Sequence, residues 1–209
     1  NLTYLPKAGE LEDVIAFDTG PGNAVIDALV ALRSHGALLR DEGGRAAARG
    51  QASAALLAEL LADPFFEIPP PRSTGREHFG ERYAERVQAL GFGMSLGEDD
   101  VLATAVELTA TSIAQAIERF VHPRGRVDRV CVSGGGVQNA TLMGALARRL
   151  APAIVTPLAA LGVAAEAKEA LAFAFLAHQT LCGLPGNVTG ATGAARREVL
   201  GTITPGRCP

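Results

Sequence analysis

Residues 14–23 read Val-Ile-Ala-Phe-Asp-Thr-Gly-Pro-Gly-Asn, VIAFDTGPGN. Val14, Ile15, Ala16 and Phe17 have the character of a short buried strand. Gly20, Pro21 and Gly22 punctuate a tight turn. From Ala24 to about Leu39 the apolar residues Val25, Ile26, Leu29 and Leu32 recur at helical spacing. The order strand, glycine turn, helix returns at Val127–Val132, Ser133–Gly136 and Asn139–Leu150. This recurrence predicts an α/β fold, with ligands at the carboxyl ends of the strands.

Outward from this stretch, residues 2–5 form a strand that reaches residues 13–17 through a polar turn at Lys7–Glu10. An Ala- and Leu-rich helix is expected over Arg45–Leu61, ended by Asp63-Pro64. Residues 64–77 carry several prolines and are expected to lack regular structure, with Phe65, Phe66 and Ile68 pinning them to a core. A short helix follows at Glu81–Leu90, and GFGMSLG is a loop. Asp99 and Asp100 open a long helix to about Val121, acids first as the helix dipole favours. Ala153–Thr156 is a short strand and Val163–Cys182 a long apolar helix. A last apolar stretch is Val199–Ile203. No repeat and no domain boundary is evident.

The chain has 209 residues, 48% hydrophobic and 20% charged, with a net charge of −3. Such a chain can bury a substantial core, which excludes a disordered segment or a disulfide-stapled miniprotein. There is no basic field to recruit nucleic acid or anionic lipid. The only lysines, Lys7 and Lys168, do not complete GxxxxGK[ST], so a Walker-type phosphate loop is excluded. Cys131, Cys182 and Cys208 form no CxxC pair and point to free thiols in a reducing compartment, the cytoplasm. No apolar run reaches the roughly 18 residues of a membrane span. His35, His78, His122 and His178 show no metal-ligand spacing, so no metal site is expected from protein ligands alone; His178 reads as a core residue.

Four constellations can carry chemistry. In Asp18-Thr19-Gly20-Pro21-Gly22-Asn23 the strand end places an acid at the bottom of a cleft. The glycines admit a ligand close to the backbone, and the helix N-terminus attracts phosphate. Asp18 then suits a general base or a metal-water ligand. The alternative is a turn in which Asp18 and Asn23 cap backbone N–H groups. A dinucleotide fingerprint fits poorly, because the third glycine is missing and Pro21 stiffens the loop. In Ser133-Gly134-Gly135-Gly136-Val137-Gln138-Asn139 the glycines suit a backbone lying flat against a ring or phosphate, or else a loose connection. Two such turns on opposite sides of a cleft suit a nucleotide. In Arg72-Ser73-Thr74-Gly75-Arg76-Glu77 two arginines offer forks for phosphate or carboxylate, or belong to a solvated loop. Glu166 and Glu169 open the apolar helix as dipole-satisfying acids or as ligand contacts.

FDTGPGN at 17–23, STGRE at 73–77, GGGVQN at 134–139 followed by TLM at 141–143, EALAFA at 169–174, LPGN at 184–187, TGA at 192–194 and VLGTI at 199–203 occur in this order. Together they resemble the C-terminal half of the anhydro-N-acetylmuramic acid kinase family, within the sugar kinase and actin-like ATPase superfamily. The resemblance implies a ribonuclease-H-like lobe, a mixed sheet with flanking helices. It implies an ATP- and Mg²⁺-dependent enzyme of peptidoglycan recycling. Such an enzyme opens the 1,6-anhydro ring of anhydro-N-acetylmuramic acid with water and phosphorylates the freed O6, giving N-acetylmuramic acid 6-phosphate and ADP. Carried onto this chain, Asp18 is the base that activates water. Gly20, Gly22 and Asn23 line the phosphates, Gly134, Gly135, Gly136 and Asn139 lie against the nucleotide, and Glu169 reaches the sugar. Family members pair as homodimers, to which the helices Asp99–Val121 and Val163–Cys182 are candidates to contribute.

Two features depart from the family pattern. Its first phosphate loop, of the type GTSxDG, has no counterpart here, and Thr156-Pro157-Leu158 stands where an acid commonly follows threonines. The chain begins with Asn1 rather than Met. The expectation is therefore that residues 1–209 are the C-terminal lobe of a two-lobed kinase, inactive without the N-terminal lobe and exposing an apolar face. The alternative is a truncated, non-catalytic actin-like domain serving as an interaction or dimerisation module.

Overall fold

Two short strand pairs flank a helical core in the computed structural model, which describes residues 1–162, 164 and 167–206. Strand β1 (Leu2–Tyr4) pairs antiparallel with β2 (Ile15–Phe17), Leu2 opposite Phe17. Helices α1 (Ala24–Arg33), α2 (Arg45–Arg49), α3 (Ala54–Leu61), α4 (Glu81–Gly93) and α5 (Glu98–Ala116) follow. A π-helical turn, Ile117–Val121, continues α5. Strand β3 (Arg129–Val132), helix α6 (Ala140–Arg149) and strand β4 (Ile154–Pro157) form a βαβ unit, with β3 and β4 parallel and Cys131 opposite Thr156. Helices α7 (Ala167–Leu181) and α8 (Thr189–Thr192) complete the order.

The core forms around α5. Its face Val101, Leu102, Ala105, Val106, Leu108 and Ala110 is almost fully buried against α1, α2, α3, α4 and α6. Each large apolar side chain removed from water there contributes about 1.5–3 kcal/mol. Most of α5 is thus buried within its own chain, and Gln115 near its end is exposed.

The α/β class is as expected, but a single mixed sheet is not what the described residues form. They form two separate two-stranded sheets, one antiparallel and one parallel. The reason lies beside β2. The Asp18 N–H at its end donates to the Arg72 carbonyl at 3.1 Å, so the proline-rich loop occupies that edge instead of a further strand. On the other flank α8 packs so closely that a Cβ on Gly190 would lie 2.3 Å from the Val14 carbonyl oxygen.

Element bounds shift for local reasons. Helix α1 stops at Arg33 rather than about Leu39, because His35 (φ 50°) and Gly36 (φ 83°) turn left-handed. Their N–H groups return to Leu32 and Ala31, a Schellman ending. The expected helix Arg45–Leu61 is broken at Gly50, where a Cβ would lie 1.9 Å from the Asp99 carbonyl oxygen. The break is held by Gln51 N–H on Asp100 Oδ1 (2.7 Å) and Ser53 N–H on Thr104 Oγ1 (2.9 Å). Helix α4 runs on through Gly91, which meets Val101 on α5, so part of the expected GFGMSLG loop is helical. Phe65 and Phe66 pin the proline-rich loop, but Ile68 remains 47% exposed.

Helix α7 is apolar as expected, yet none of its described side chains is buried, and Phe173 is 71% exposed. His178 lies on this exposed helix rather than in the core. Cys131 is half-buried and Cys182 exposed, both free; Val163, Glu166 and Cys208 lie outside the described residues. No described helix is long and apolar enough to cross a membrane.

Candidate active site

Asp18 follows directly on β2, and its carboxylate is oriented from across the chain. Its Oδ2 accepts the Thr74 N–H at 2.8 Å and the Ser73 hydroxyl at 3.0 Å. Oδ1 has no hydrogen-bond donor among the described residues. The carboxylate therefore has one oxygen pinned by hydrogen bonds, while the other lies 4.0 Å from the Asn1 amino group, which lines the same cleft. The capping alternative is half met: Asp18 does accept a backbone N–H, but from Thr74 rather than from its own turn. The Thr74 hydroxyl beside it is shielded from solvent and has no described partner.

Arg72 is the bolt behind this arrangement. Its Nε donates to the Asp18 carbonyl (2.8 Å), and its Nη1 to the carbonyls of Phe65 (3.0 Å), Phe66 (3.1 Å) and Ile68 (2.7 Å). The guanidinium stands 4.7 Å from the Phe65 ring centre and 5.3 Å from that of Phe120. Burial lowers its pKa, the nearby Arg119 acts in the same direction, and Asp18 and Glu67 oppose. Arg72 is thus consumed by the fold and is not the phosphate fork that its position in the sequence permits; Arg76 is exposed.

The first glycine turn packs tightly on one side and opens on the other. Gly20 (φ 146°) lies so close to the core that a Cβ would meet Phe66 at 2.9 Å. Gly22 (φ 56°) has nothing within 4 Å of that position. The Gly22 carbonyl accepts the Thr109 hydroxyl of α5 at 2.6 Å, which ties the turn to the central helix. Asn23 precedes α1 but makes no side-chain cap. Its Nδ2 instead donates to Asp27 Oδ2 at 2.6 Å. Burial raises the Asp27 pKa, opposed by this hydrogen bond and by Arg40 and Arg76.

The structure brings the second glycine turn beside the first. A Cβ on Gly135 would lie 3.5 Å from Asn23 Nδ2, whereas Gly134 (φ 88°) has open space. Asn139 is buried and caps α6, accepting the Leu142 N–H at 2.9 Å. A third turn, at Gly43–Gly44, joins them and escapes the sequence reading. A Cβ on Gly44 would lie 2.1 Å from Asn139 Oδ1, and the Thr141 hydroxyl donates to the Gly44 carbonyl at 2.7 Å. The signal in the sequence is the paired glycine itself, without a preceding strand to mark it.

Asp18, Ser73 and Lys168 line one open cleft of about 540 Å³, closed on another side by Ala191 and Thr192. Glu169 stands next to Lys168 on the first turn of α7, exposed and outside that lining. The cleft offers one carboxylate held by hydrogen bonds and the cation of Lys168, while Gly22 and Gly134, with open space beside them, stand outside its lining. Among the described residues no group of three or more His, Cys, Asp or Glu could hold a metal ion. A nucleotide-borne Mg²⁺ fits this donor set, since it needs only one or two carboxylates besides phosphate and water.

The anhydro-N-acetylmuramic acid kinase family model matches residues 2–206. The anhydro-N-acetylmuramic acid kinase of Caldanaerobacter subterraneus subsp. tengcongensis is 43% identical over 204 residues, covering 98% of this chain and 52% of its own length. That of Salinibacter ruber is 44% identical over 204 residues, 98% of this chain and 51% of its own. That of Streptomyces coelicolor is 45% identical over 209 residues, the whole of this chain and 51% of its own. The chain thus spans about half the length of these relatives and matches their C-terminal half. On this evidence the chain belongs to the anhydro-N-acetylmuramic acid kinase family.

Proposed function

We propose that the whole protein opens the 1,6-anhydro ring of anhydro-N-acetylmuramic acid with water and transfers a phosphoryl group from ATP to the freed O6. The observation that supports this most directly is the Asp18 carboxylate, pinned through Oδ2 by Thr74 and Ser73 and left without a hydrogen-bond donor at Oδ1, in a residue that lines the cleft. A carboxylate so held is oriented to take a proton from water as that water attacks the anomeric carbon. The bond from that carbon to O6 breaks as the new one forms, and O6 becomes the acceptor for phosphoryl transfer. Gly20, Gly22 and Asn23 line the phosphate side. Gly134, Gly135 and Gly136 lie against the nucleotide, and Asn139, as the cap of α6, fixes the turn from behind. Glu169 is the proposed sugar contact. Bound with the nucleotide, Mg²⁺ supplies neutralisation of phosphate charge.

We assign the lobe to the ribonuclease-H-like class on its repeated strand, glycine turn and helix. Catalysis then needs the N-terminal lobe, since this chain has no GTSxDG loop. The free thiols are in keeping with the cytoplasm. For a homodimer, we favour α7, whose described side chains are all unburied, as the contributing element.

The test is Asp18→Asn in the whole protein. We expect turnover to fall at least about a hundredfold, the scale of a lost general base, with nucleotide affinity within about twofold. Near-normal turnover would remove Asp18 as the base.

A further inference from the structure

Lys168 is one of only two lysines in the chain, and neither completes a phosphate-loop motif. Its place in the structure gives it a different use. From the first turn of α7 its Nζ reaches the Ser133 hydroxyl at 3.0 Å. Ser133 follows β3 directly and opens the second glycine turn. Lys168 also lines the cleft that holds Asp18 and Ser73 at the end of β2. The ammonium therefore stands between the two strand ends, with the proposed base on one side and the proposed nucleotide turn on the other. Its polar partner is a neutral hydroxyl, and no acid among the described residues pairs with it within 4 Å. A lysine ammonium carries three donors, so contact with Ser133 leaves two available.

We propose that Lys168 is a binding residue of this site, the cationic contact for an oxyanion entering the Asp18 cleft. The inference rests on the kinase reading above. In that reading two substrate groups have this chemistry: the terminal phosphate of the nucleotide and the carboxylate of the sugar acid. Ser133 acts as the positioning residue that holds the ammonium over the cleft. An oxyanion in this position completes the coordination that one hydroxyl leaves unfilled.

The experiment uses the whole protein and three variants, Lys168→Met, Lys168→Arg and Ser133→Ala. Steady-state kinetics vary ATP and the anhydro sugar acid separately. Calorimetric titrations use inorganic triphosphate and the sugar acid as probes. We expect Lys168→Met to weaken one of the two probes at least about tenfold, the order of a charge-assisted hydrogen bond. Loss confined to triphosphate, with a higher KM for ATP or a lower kcat, assigns the phosphate. Loss confined to the sugar, with a higher KM for the sugar alone, assigns the carboxylate. Lys168→Arg restores most of the loss. Ser133→Ala costs less than Lys168→Met, because the ammonium remains. Unchanged affinity for both probes in Lys168→Met overturns the inference, as does a Ser133→Ala defect equal to that of Lys168→Met, which would mark the pair as a tether between α7 and β3. The titrations read Lys168 independently of turnover. A wild-type protein that binds triphosphate through Lys168 but does not turn over the sugar refutes the kinase reading and leaves the anion contact standing.

Discussion

A single buried arginine sets the position of the candidate base. Arg72 holds four backbone carbonyls drawn from the turn after β2 and from the proline-rich loop, and only a planar fork can serve them together. Arg72→Met should destabilise the protein by about 3 kcal/mol or more, since each buried acceptor left without a donor costs about 1–3 kcal/mol. Arg72→Lys should recover little of that loss; urea denaturation measures both. Asp27 carries an opposite lesson. Burial raises its pKa, so the folded state binds this proton more readily than the unfolded chain. Its contribution to stability is therefore full below the unfolded pKa and is lost as pH rises through the folded one. Asp27→Asn, which keeps an acceptor for Asn23, should match or exceed wild type in Tm near pH 7, with the advantage fading toward about pH 4. A variant less stable than wild type at neutral pH would contradict this sign.

Among the elements, the strand-turn-helix units are legible because their signals are local. Val14–Phe17 and the SGGG turn can be read from adjacent letters, and so can Asp99 and Asp100 at the head of the long helix. What resists reading is set by distant partners. Nothing in an Ala- and Leu-rich run announces that Gly50 must pass 1.9 Å, measured from a would-be Cβ, from a carbonyl on α5. Arg72 likewise looks like a surface fork until the loop folds under β2. Asn139 illustrates the middle case: the resemblance implies a nucleotide contact, and the structure adds that its buried side chain caps α6. Asn139→Ala should cost about 1 kcal/mol of stability, and Asn139→Ser should recover most of it. Thermal melts of the two variants measure this, and ATP affinity recovered by Ser along with stability would show that Asn139 acts through the turn.

For the molecule as a whole, α7 is the unfinished part. Leu171, Phe173, Phe175 and Leu181 are each at least 58% exposed, an apolar surface uncommon on a soluble monomer. The 209-residue chain by itself should therefore self-associate with rising concentration. A double change, Phe173→Glu with Phe175→Glu, should reduce that association while altering its stability by no more than about 0.5 kcal/mol. Sedimentation velocity reads the first and denaturation the second. The clamp on Asp18 has a further consequence, which concerns time. Its hydrogen bonds join residues 54–56 positions apart, and the cleft also takes Lys168 from much later in the chain. Helices close within a few residues, whereas such distant pairings must first meet the entropy of loop closure. During refolding, helical circular dichroism should accordingly recover before the chemistry of the cleft does.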